Sequence, residues 1–460
     1  MKIIIVGSGK VGYSLAQSLS TEGNDVIMID HDKESLDKAY NFLDVMCIKG
    51  NGLRSSTLIE SGVKECDLLI AVTGSDEVNM VCCLTAKKLG AKHCVARIRD
   101  PEYADELLVL KEEIGVDMVI NPEREAAAEI ARIIKFPPAV NVEIFAKGRI
   151  EMVEIKVSKN LTICDLKLKE HKGNFYHSVL ICAVQRGDEI YIPHGDFLIE
   201  GNDLLYIIGE HSKVYGYCRE IGVDFYKIKS VMILGGGRLS YYLAKNLNEI
   251  GIKVKIIEIS KQRGNELSEL LPNVLIICGD GTEETLLHSE SIQHMDAFVA
   301  LAGRDEDNLI TALVAKENGV RKCIAKINKI AHTNLLNKIG IDSIVSPKIV
   351  TANHIIRFAR SLKNAIDNPV NTLYKLIDDK VEALEFVADS HTKFLDIPLK
   401  DINFVKNIMI AALLRKNNII IPHGNDVIKE RDSVILIAKD KTFSDLNEIF
   451  ISTKSSDEKI

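Results

Sequence analysis

The sequence contains no tryptophan, few aromatic residues of any kind (5%) and no long apolar run. A membrane-spanning helix needs about 20 consecutive apolar residues. We therefore predict neither a transmembrane helix nor a signal peptide, and we expect a cytosolic protein. Basic residues are outnumbered by acidic ones, which gives a formal net charge of -7. Affinity for nucleic acid depends chiefly on clustered Lys and Arg, so this balance argues against a nucleic-acid partner.

The ten cysteines show no CxxC motif and no Cys/His ligand spacing. Most of them, including Cys47, Cys182, Cys278 and Cys323, lie in apolar runs that are typical of strands. We interpret them as small buried apolar residues in a reducing compartment, and we expect no metal site.

What the sequence does contain is a long internal repeat. Residues 2–30 (KIIIVGSGKVG…DVIMID) return as residues 230–258 (SVMILGGGRLS…KVKIIE), so Gly7 corresponds to Gly235 and Asp30 to Glu258. Later segments keep this shift within a few residues: AVTGSDEVN at 71–79 returns as ALAGRDEDN at 300–308, and YIPHG at 191–195 returns as IIPHG at 420–424. The period is too long for a solenoid unit and indicates a duplicated set of whole domains.

Each half begins with short apolar runs that alternate with helical patterns. In the first half the predicted strands are Lys2 to Val6, Asp25 to Ile29, Val45 to Ile48, Leu68 to Val72, Cys94 to Ile98 and Met118 to Ile120. Continuous apolar strands separated by helices predict a doubly wound parallel sheet. After Pro137-Pro138 the pattern changes to alternating strands and tight turns, which predicts a small, mostly antiparallel lobe.

The predicted fold class is therefore α/β: two doubly wound parallel Rossmann-like sheets, each followed by a small α+β lobe, in a tandem duplication. The predicted domains are a nucleotide-binding domain at residues 1–138, a small lobe at 139–226, a second nucleotide-binding domain at 227–363 and a second small lobe at 364–460. The polar tail from Ser452 to Ile460 is expected to be disordered.

A helix with an apolar stripe is predicted after the sixth strand. The stripe consists of Ala126, Ala127, Ile130, Ile133 and Ile134. We expect it to be buried against another subunit, because an exposed stripe of this size is hard to explain on a monomer. The alternative is that it covers the chain's own sheet.

The clearest binding motif is the glycine loop after the first strand. Gly7, Gly9 and Gly12 form GxGxxG between a strand and a helix, which permits a tight turn, close approach of a phosphate and close helix-to-strand contact. Phosphates then bind the unpaired N–H groups at the helix start. Asp30 ends the second strand, where a carboxylate accepts hydrogen bonds from ribose hydroxyls and favours NAD or an adenine nucleotide over NADP. The alternative is a glycine turn in an empty sheet.

The second half keeps this motif in altered form. Gly235 and Gly237 are present, but Ser240 stands where the third glycine belongs and adds a side chain at the contact between helix and sheet. Glu258 again supplies a carboxylate for the ribose. We predict ligand binding here too, with a degenerate or differently selective pocket as the alternative.

Further walls of both sites are expected at the carboxyl ends of other strands, where open α/β sheets bind ligands. The candidate backbone segments are Asn51-Gly52, Thr73-Gly74, Asp280-Gly281 and Ala302-Gly303. The candidate phosphate-binding cations are Lys10 and Arg97 in the first half, and Arg238 and Lys326 in the second. The remaining candidates are the loop residues Ser8, Val11 and Leu239. Ordinary turns and solvated surface charges are the alternatives.

No catalytic partner for a bound dinucleotide is evident. A dehydrogenase needs an acid or base within reach of the nicotinamide, and the small lobes offer no convergent set of such residues. His194 and His423 lie in Pro-His-Gly segments and are interpreted as turn residues.

The order of the segments is more specific than any one of them. GxGxxG with Asp30, GNG at 50–52, VTGSDEVN at 72–79, VARIRDPEY at 95–103 and VINPE at 119–123 precede a small β lobe, and then the whole set returns. Over about Met1 to Ile451 this order resembles the Trk potassium-uptake regulatory subunits of TrkA type, which have tandem RCK/KTN domains.

The resemblance implies a non-enzymatic sensor that binds NAD(H) and ATP/ADP and regulates potassium conductance. It implies a membrane K+ channel subunit of Trk or Ktr type as partner, a homo-oligomeric ring formed as a tetramer of tandem modules, and a place on the cytoplasmic face of the membrane. It also implies that Lys10, Arg97 and Glu123 belong to the nucleotide site, with Glu123 reaching a neighbouring subunit. Lys348 stands in the place of Glu123 in the second half, which sets the two sites apart. An NAD-dependent oxidoreductase and a freestanding nucleotide-binding scaffold are the alternatives.

Overall fold

A computed structural model of the chain describes residues 1–101, 103, 115–328, 340–363, 370–376, 381–441, 443 and 445–450. The chain divides into two compact units, each built from both halves of the repeat. The first unit combines Met1–Ala131 with Lys229–Ala359, and the second combines Arg132–Ile228 with the chain from Arg360 onward. The predicted tail lies outside the described residues.

The first sheet of the first unit is parallel. Its strands are β1 (Lys2–Val6), β2 (Asp25–Asp30), β3 (Met46–Lys49), β4 (Leu68–Ala71), β5 (His93–Arg97) and β6 (Met118–Ile120). They lie in the order β3-β2-β1-β4-β5-β6, which reverses direction between β1 and β4. This is the doubly wound arrangement in which ligands bind outside the carboxyl ends of the strands. The predicted strands agree with these bounds to within one residue at each end.

Helices cover this sheet. They are α1 (Lys10–Thr21), α2 (Lys33–Phe42), α3 (Ser55–Glu60), α4 (Asp76–Leu89) and α5 (Pro122–Lys135). The ends of α4 show how the sequence sets the bounds: the Ser75 side chain accepts a hydrogen bond from the Val78 N–H, and Gly90 ends the helix at a φ of 117°. Buried Val11, Leu15 and Leu19 form the stripe of α1, as the four-residue spacing predicts.

The second sheet repeats the first. Its strands are β12 (Ser230–Leu234), β13 (Lys253–Glu258), β14 (Leu275–Cys278), β15 (Ala297–Ala300), β16 (Lys322–Lys326) and β17 (Ser343–Val345), in the order β14-β13-β12-β15-β16-β17. Its helices are α7 (Arg238–Glu249), α8 (Lys261–Leu270), α9 (Glu284–Ser289), α10 (Asp305–Glu317) and α11 (Pro347–Lys363). Lys2 pairs with Asp25 in the first sheet and Ser230 with Lys253 in the second, so the register is duplicated as well.

The second unit contains two antiparallel sheets. The first has β7 (Asn141–Phe145), β8 (Ile150–Lys156), β9 (Val179–Arg186), β10 (Glu189–Tyr191) and β11 (Leu204–Glu210) in the order β10-β9-β11-β8-β7, followed by α6 (His211–Glu220). The second has β18 (Val370–Leu376), β19 (Val381–Val387), β20 (Ile408–Arg415), β21 (Asn418–Ile420) and β22 (Ser433–Lys439) in the order β18-β19-β22-β20-β21. The fold class predicted from the sequence is confirmed. β7 was not predicted.

One apolar core joins the two antiparallel sheets. Met152 and Tyr206 of the first lobe belong to the same buried cluster as Ala383 and Ile435 of the second. The two lobes therefore exclude water together, and each supplies part of the other's core.

Two sequence expectations need correction. Ala126, Ala127, Ile130, Ile133 and Ile134 of α5 are each at most 1% exposed within the single chain. The interpretation of this stripe as a contact between subunits is therefore wrong, because no exposed apolar surface is left there for a partner. Cys182 and Cys323 are buried as expected, but Cys278 ends the edge strand β14 and is exposed. Among the described residues, no helix combines the length and apolar character needed to cross a membrane.

The third glycine of the first loop is fixed by lack of space. A Cβ on Gly12 would lie 1.8 Å from the carbonyl oxygen of Gly7, whereas a Cβ on Gly9 would meet no atom within 4 Å. The φ of Gly9 is -64°, which any L residue adopts. Close contact between α1 and β1 therefore depends on Gly12 and leaves Gly9 open toward the outside of the loop.

Gly12→Ala is expected to lower the free energy of unfolding by about 1 to 3 kcal/mol, because the helix must move away from the strand. Gly9→Ala is the matched control and should cost less than about 1 kcal/mol, the price of a poorer helix cap. Chemical denaturation of the full chain measures both. Equal losses in the two variants would contradict this account of the loop.

Candidate nucleotide-binding site

The first glycine loop presents an uncapped helix end. Gly7 turns the chain at a φ of 109°, and a Cβ there would lie 3.0 Å from the backbone of Val72 and Thr73. α1 then begins at Lys10 with no side-chain cap and no acidic residue in its first turn. The first N–H groups of a helix have no partner within the helix, and such an uncapped end is suited to an anion.

Asp30 holds the loop against the second strand. Its carboxylate accepts hydrogen bonds from the Ser8 N–H at 2.6 Å, from the Ser8 hydroxyl at 2.8 Å and from the Asp32 N–H at 3.0 Å. Burial alone would raise the pKa of Asp30, but these hydrogen bonds and nearby His31 outweigh it and lower the pKa below the ordinary value of 3.8. The group is therefore a carboxylate at neutral pH and can accept further hydrogen bonds from a ligand.

The loops after β4 and β5 are tied together by one buried amide. Asn79 accepts hydrogen bonds from the N–H and the hydroxyl of Thr73, both at 2.8 Å, and donates to the Arg97 carbonyl at 2.8 Å. Asn308 repeats this in the second half, accepting from Ala302 N–H at 2.7 Å and donating to the Lys326 carbonyl at 2.9 Å. Sequence reasoning did not single out these positioning residues, although both repeated segments end on the same asparagine.

Arg97 and Glu123 each bring an unpaired polar atom to the cleft. Arg97 donates through one terminal nitrogen to the Thr73 carbonyl, and its buried Nε has no hydrogen-bond partner among the described residues. Burial lowers the pKa of Arg97, with a further lowering from Arg99. Glu123 accepts from Arg99 Nε at 3.0 Å, and its other oxygen is buried without a partner in the described part of the chain. Arg99 is a further residue that sequence reasoning missed.

The second glycine loop has the same backbone arrangement as the first, but the side chains around it differ. Glu258 accepts from the Gly236 N–H at 2.6 Å and from the Ser260 N–H at 2.8 Å, as Asp30 does in the first half. Arg263 of α8 donates to the Gly236 carbonyl at 2.9 Å. It corresponds to Ser35, so comparing the halves could not have revealed it. Ser240 is fully buried, and its hydroxyl has no partner among the described residues.

Lys326 occupies the place of Arg97 in the second half. Its ammonium donates to the Leu301 carbonyl at 3.0 Å. Burial lowers the pKa of Lys326, while Asp305 and Glu123 act to raise it. Glu123 of the first half therefore acts electrostatically on a cation of the second half within the same chain.

Both loops open on one cleft of about 1890 Å³. Ligand pockets commonly measure about 300 to 1,000 Å³, so this cleft has room for more than one nucleotide. The predicted residues that line it are Gly7, Gly9, Lys10, Val11, Asp30, Asn51, Gly52, Thr73, Gly74, Arg97 and Glu123 from the first half, and Gly237, Arg238, Leu239, Glu258 and Lys326 from the second. Their binding roles stay predictions.

The other predicted residues do not line this cleft. They are Ser8, Gly12, Gly235, Asp280, Gly281, Ala302 and Gly303. A Cβ on Gly281 would lie 2.2 Å from Leu234, and a Cβ on Gly52 would lie 2.4 Å from Val6. Both glycines thus let the third-strand loop pack on the end of the first strand. Asp280 accepts from the N–H and hydroxyl of Thr282 and forms a turn.

The two halves contact each other at the strand ends that border this cleft. Asn121, at the end of β6, donates to the Tyr242 hydroxyl of α7 at 3.0 Å. Arg238, at the start of α7, lies 3.6 Å from the carboxylate of Asp100. The second glycine loop is therefore held against strand ends of the first sheet.

His194 and His423, which occupy corresponding positions in the two halves, lie in turns of the second unit. His194 Nδ1 accepts a hydrogen bond from the Asp196 N–H at 3.3 Å, and the His423 N–H donates to the Asp426 carboxylate at 2.7 Å. Both contacts are local and support the interpretation of these residues as turn formers.

Comparison with known families agrees with this architecture. A sequence model of the TrkA-N domain matches residues 3–122 and 231–347, and a model of the TrkA-C domain matches residues 152–222 and 383–451. The Trk system potassium uptake protein TrkA homolog 1 of Methanosarcina mazei is 34% identical over 458 residues, covering 98% of this chain and 100% of that protein. The chain belongs to the TrkA family. The resemblance inferred from the order of its motifs is confirmed.

Solved structures show the same fold at low sequence identity. One described as the GsuK channel bound to NAD has a TM-score of 0.63 and 16% identity, covering 95% of this TrkA-family chain and 76% of that one. A second, described as GsuK bound to ADP, has a TM-score of 0.50 and 15% identity, covering 79% and 69%. Tandem Rossmann-like sheets with antiparallel lobes are thus shared with known RCK structures.

The lowered pKa of Asp30 predicts how its contribution depends on pH. A group with a folded pKa below its unfolded pKa stabilises the fold above the unfolded value, and loses this effect as the pH falls through the folded value. Asp30→Asn should therefore lower the unfolding temperature of the TrkA-family chain at pH 7, and the deficit should shrink as the pH falls to the ordinary value of 3.8 and below it. Asp25→Asn, at the exposed start of the same strand, is the control. A deficit independent of pH would contradict the assignment.

Proposed function

We propose that this TrkA-family chain is the nucleotide-sensing regulatory subunit of a Trk-type potassium uptake system, with NAD(H) and ATP/ADP as its ligands. One observation carries the proposal: two glycine loops, each backed by a carboxylate at the end of the second strand, open on a single cleft. The structures of the GsuK channel bound to NAD and of GsuK bound to ADP support these ligand classes.

The cleft has the groups that a nucleotide needs. Diphosphate oxygens would lie over the first turns of α1 and α7, where helix N–H groups and the nearby Lys10 and Arg238 offset their charge. Ribose hydroxyls would donate to Asp30 or Glu258. A 2′-phosphate would meet a carboxylate at the same position, which favours NAD(H) over NADP(H).

Binding without turnover fits the side chains at the cleft. His31 is the histidine among the described lining residues, and its side chain is 93% exposed beside the Asp30 carboxylate. A hydride-transfer enzyme would need an acid or base fixed against the nicotinamide. We therefore propose a sensor in place of an oxidoreductase.

The contacts between the halves suggest how the binding of a nucleotide moves one half relative to the other. Asn121 with Tyr242 and Arg238 with Asp100 connect the second glycine loop to strand ends of the first sheet. Suppose that the two halves can adopt two spacings and that a ligand binds the chain more tightly in one of them. The ligand then shifts the equilibrium toward that spacing by the difference between the two binding free energies. We propose that a homo-oligomeric ring, a tetramer of such tandem modules, transmits this shift to a membrane K+ channel subunit at the cytoplasmic face.

The variants Asp30→Ala and Glu258→Ala test which nucleotide binds to which half of the chain. Hydrogen bonds to a charged acceptor contribute about 1.5 to 3 kcal/mol, so each variant should weaken one nucleotide by roughly tenfold or more. Isothermal titration of the full chain with NADH, ATP and ADP measures this. Asp25→Ala is the matched control. Unchanged affinities in both variants would rule out these carboxylates as ribose acceptors.

The channel partner requires a separate experiment. The tagged chain, added to membranes that contain the Trk-type channel subunit, should co-purify with it, and potassium flux should change on addition of NADH or ATP. Nucleotide binding with no membrane association would favour a freestanding scaffold. Steady consumption of NADH with a small organic substrate would favour an oxidoreductase.

A further inference from the structure

The cation of the second glycine loop is paired with a carboxylate of the first half. A terminal nitrogen of Arg238 lies 3.6 Å from the Asp100 carboxylate, and both residues line the shared cleft. Arg238 is the first residue of α7, whose first turn has no side-chain cap and no acidic residue of its own. The Asp100 carboxylate therefore lies beside the group that is expected to offset the charge of a bound phosphate.

The first glycine loop differs in this respect. Lys10 takes the place of Arg238 at the start of α1, and it forms no ion pair with any residue that the structure describes. The repeat also puts Lys329 at the sequence position of Asp100, so the second half has a cation where the first half has this carboxylate. Within the described part of the chain, an internal acid that faces the loop cation is thus a property of the second loop.

The backbone around Asp100 is held by the first half alone. The N–H groups of Arg99 and Asp100 both donate to the buried Asp76 carboxylate at 2.8 Å. The Arg99 side chain donates to Glu123 at 3.0 Å. These contacts fix the loop after β5 without help from Arg238. A ligand that takes Arg238 away from Asp100 therefore leaves the loop in place.

The ion pair is weak enough to be exchanged for a ligand. The side chains of Arg238 and Asp100 are 43% and 36% exposed, and the 3.6 Å between them is longer than a hydrogen bond. Ion pairs at such exposure contribute little to stability, because water screens the two charges. A phosphate offers more charge and more acceptor oxygens to a guanidinium than one carboxylate does, so it competes effectively for Arg238.

We propose that Asp100 is an internal competitor for the phosphate of a nucleotide at the second glycine loop. Binding there transfers Arg238 from Asp100 to the phosphate and breaks a contact between the two halves. Arg99 of the same loop holds Glu123, a predicted residue of the first site, so the exchange also connects the second site to the first. The inference rests on the proposed function, since it takes the second glycine loop to be a nucleotide site.

The test measures whether removal of the Asp100 charge tightens nucleotide binding. Titrations of the full chain with ADP and with NADH use the Asp30→Ala background, so that the second site reports. Asp100→Asn should tighten the nucleotide that binds there by about two- to fivefold, whereas Arg238→Ala should weaken it. Asp44→Asn removes the same charge from an exposed position outside the cleft, and this control should leave both affinities unchanged.

A double-mutant cycle separates competition for Arg238 from repulsion at a distance. If Asp100 acts by pairing with Arg238, Asp100→Asn should no longer change the affinity once Arg238 is replaced by alanine. The same gain in the Arg238→Ala background would show that Asp100 acts only as a distant charge, which overturns the proposal. An unchanged or weaker affinity of the Asp100→Asn chain with Arg238 intact would overturn it as well.

Inorganic pyrophosphate, titrated in parallel, distinguishes failure of this inference from failure of the proposed function. If the wild-type chain binds no nucleotide, the proposed function fails. Tighter binding of pyrophosphate to the Asp100→Asn chain than to the wild-type chain would then still support competition at Arg238. Pyrophosphate that in this case binds neither chain, or binds both equally, would overturn the inference too.

Discussion

Lack of space at the carboxyl end of the first strand in each half is the constraint on which the rest of the structure depends. In the first half, Gly12 lies so close to the Gly7 carbonyl that no side chain fits, and Gly52 packs directly on Val6. In the second half Ser240 stands at the place of Gly12, and the close contact is that of Gly281 with Leu234. Because the backbones meet there, the start of the helix and the end of the second strand converge, and a carboxylate can receive an N–H from the loop. The same geometry leaves the starts of α1 and α7 without a side-chain cap.

Duplication has produced two halves that share a backbone arrangement but differ in the side chains at the cleft. Both halves keep the strand order, the register and the buried asparagine that ties two loops together. They differ where they face each other, since Glu123 on one side corresponds to Lys348 on the other. The buried charge of Lys326 is influenced by Glu123 across the cleft. At Lys326, a carboxylate of one half therefore acts on a cation of the other half.

Much of the fold could be predicted because buried parallel strands have a strong local signal. Continuous apolar runs and the Asn121-Pro122 stop placed strand ends to within one residue. The apolar stripe of α5 was wrongly predicted to contact another subunit, because an apolar face indicates that it is buried but not which surface covers it. Arg263, which donates to the Gly236 carbonyl, has no counterpart in the first half. Its position follows from how α8 packs, which no local pattern encodes.

The sequence by itself determined the tandem α/β architecture, the two glycine loops and the family, because these rest on local spacing and on the order of motifs along the chain. Only the tertiary structure decided that both loops share one cleft, that Asn121 meets Tyr242, and that Arg238 meets Asp100. Such contacts join residues more than a hundred positions apart, and they depend on how two folded sheets pack against each other. That packing is a property of whole surfaces, which the pattern of any single segment does not specify.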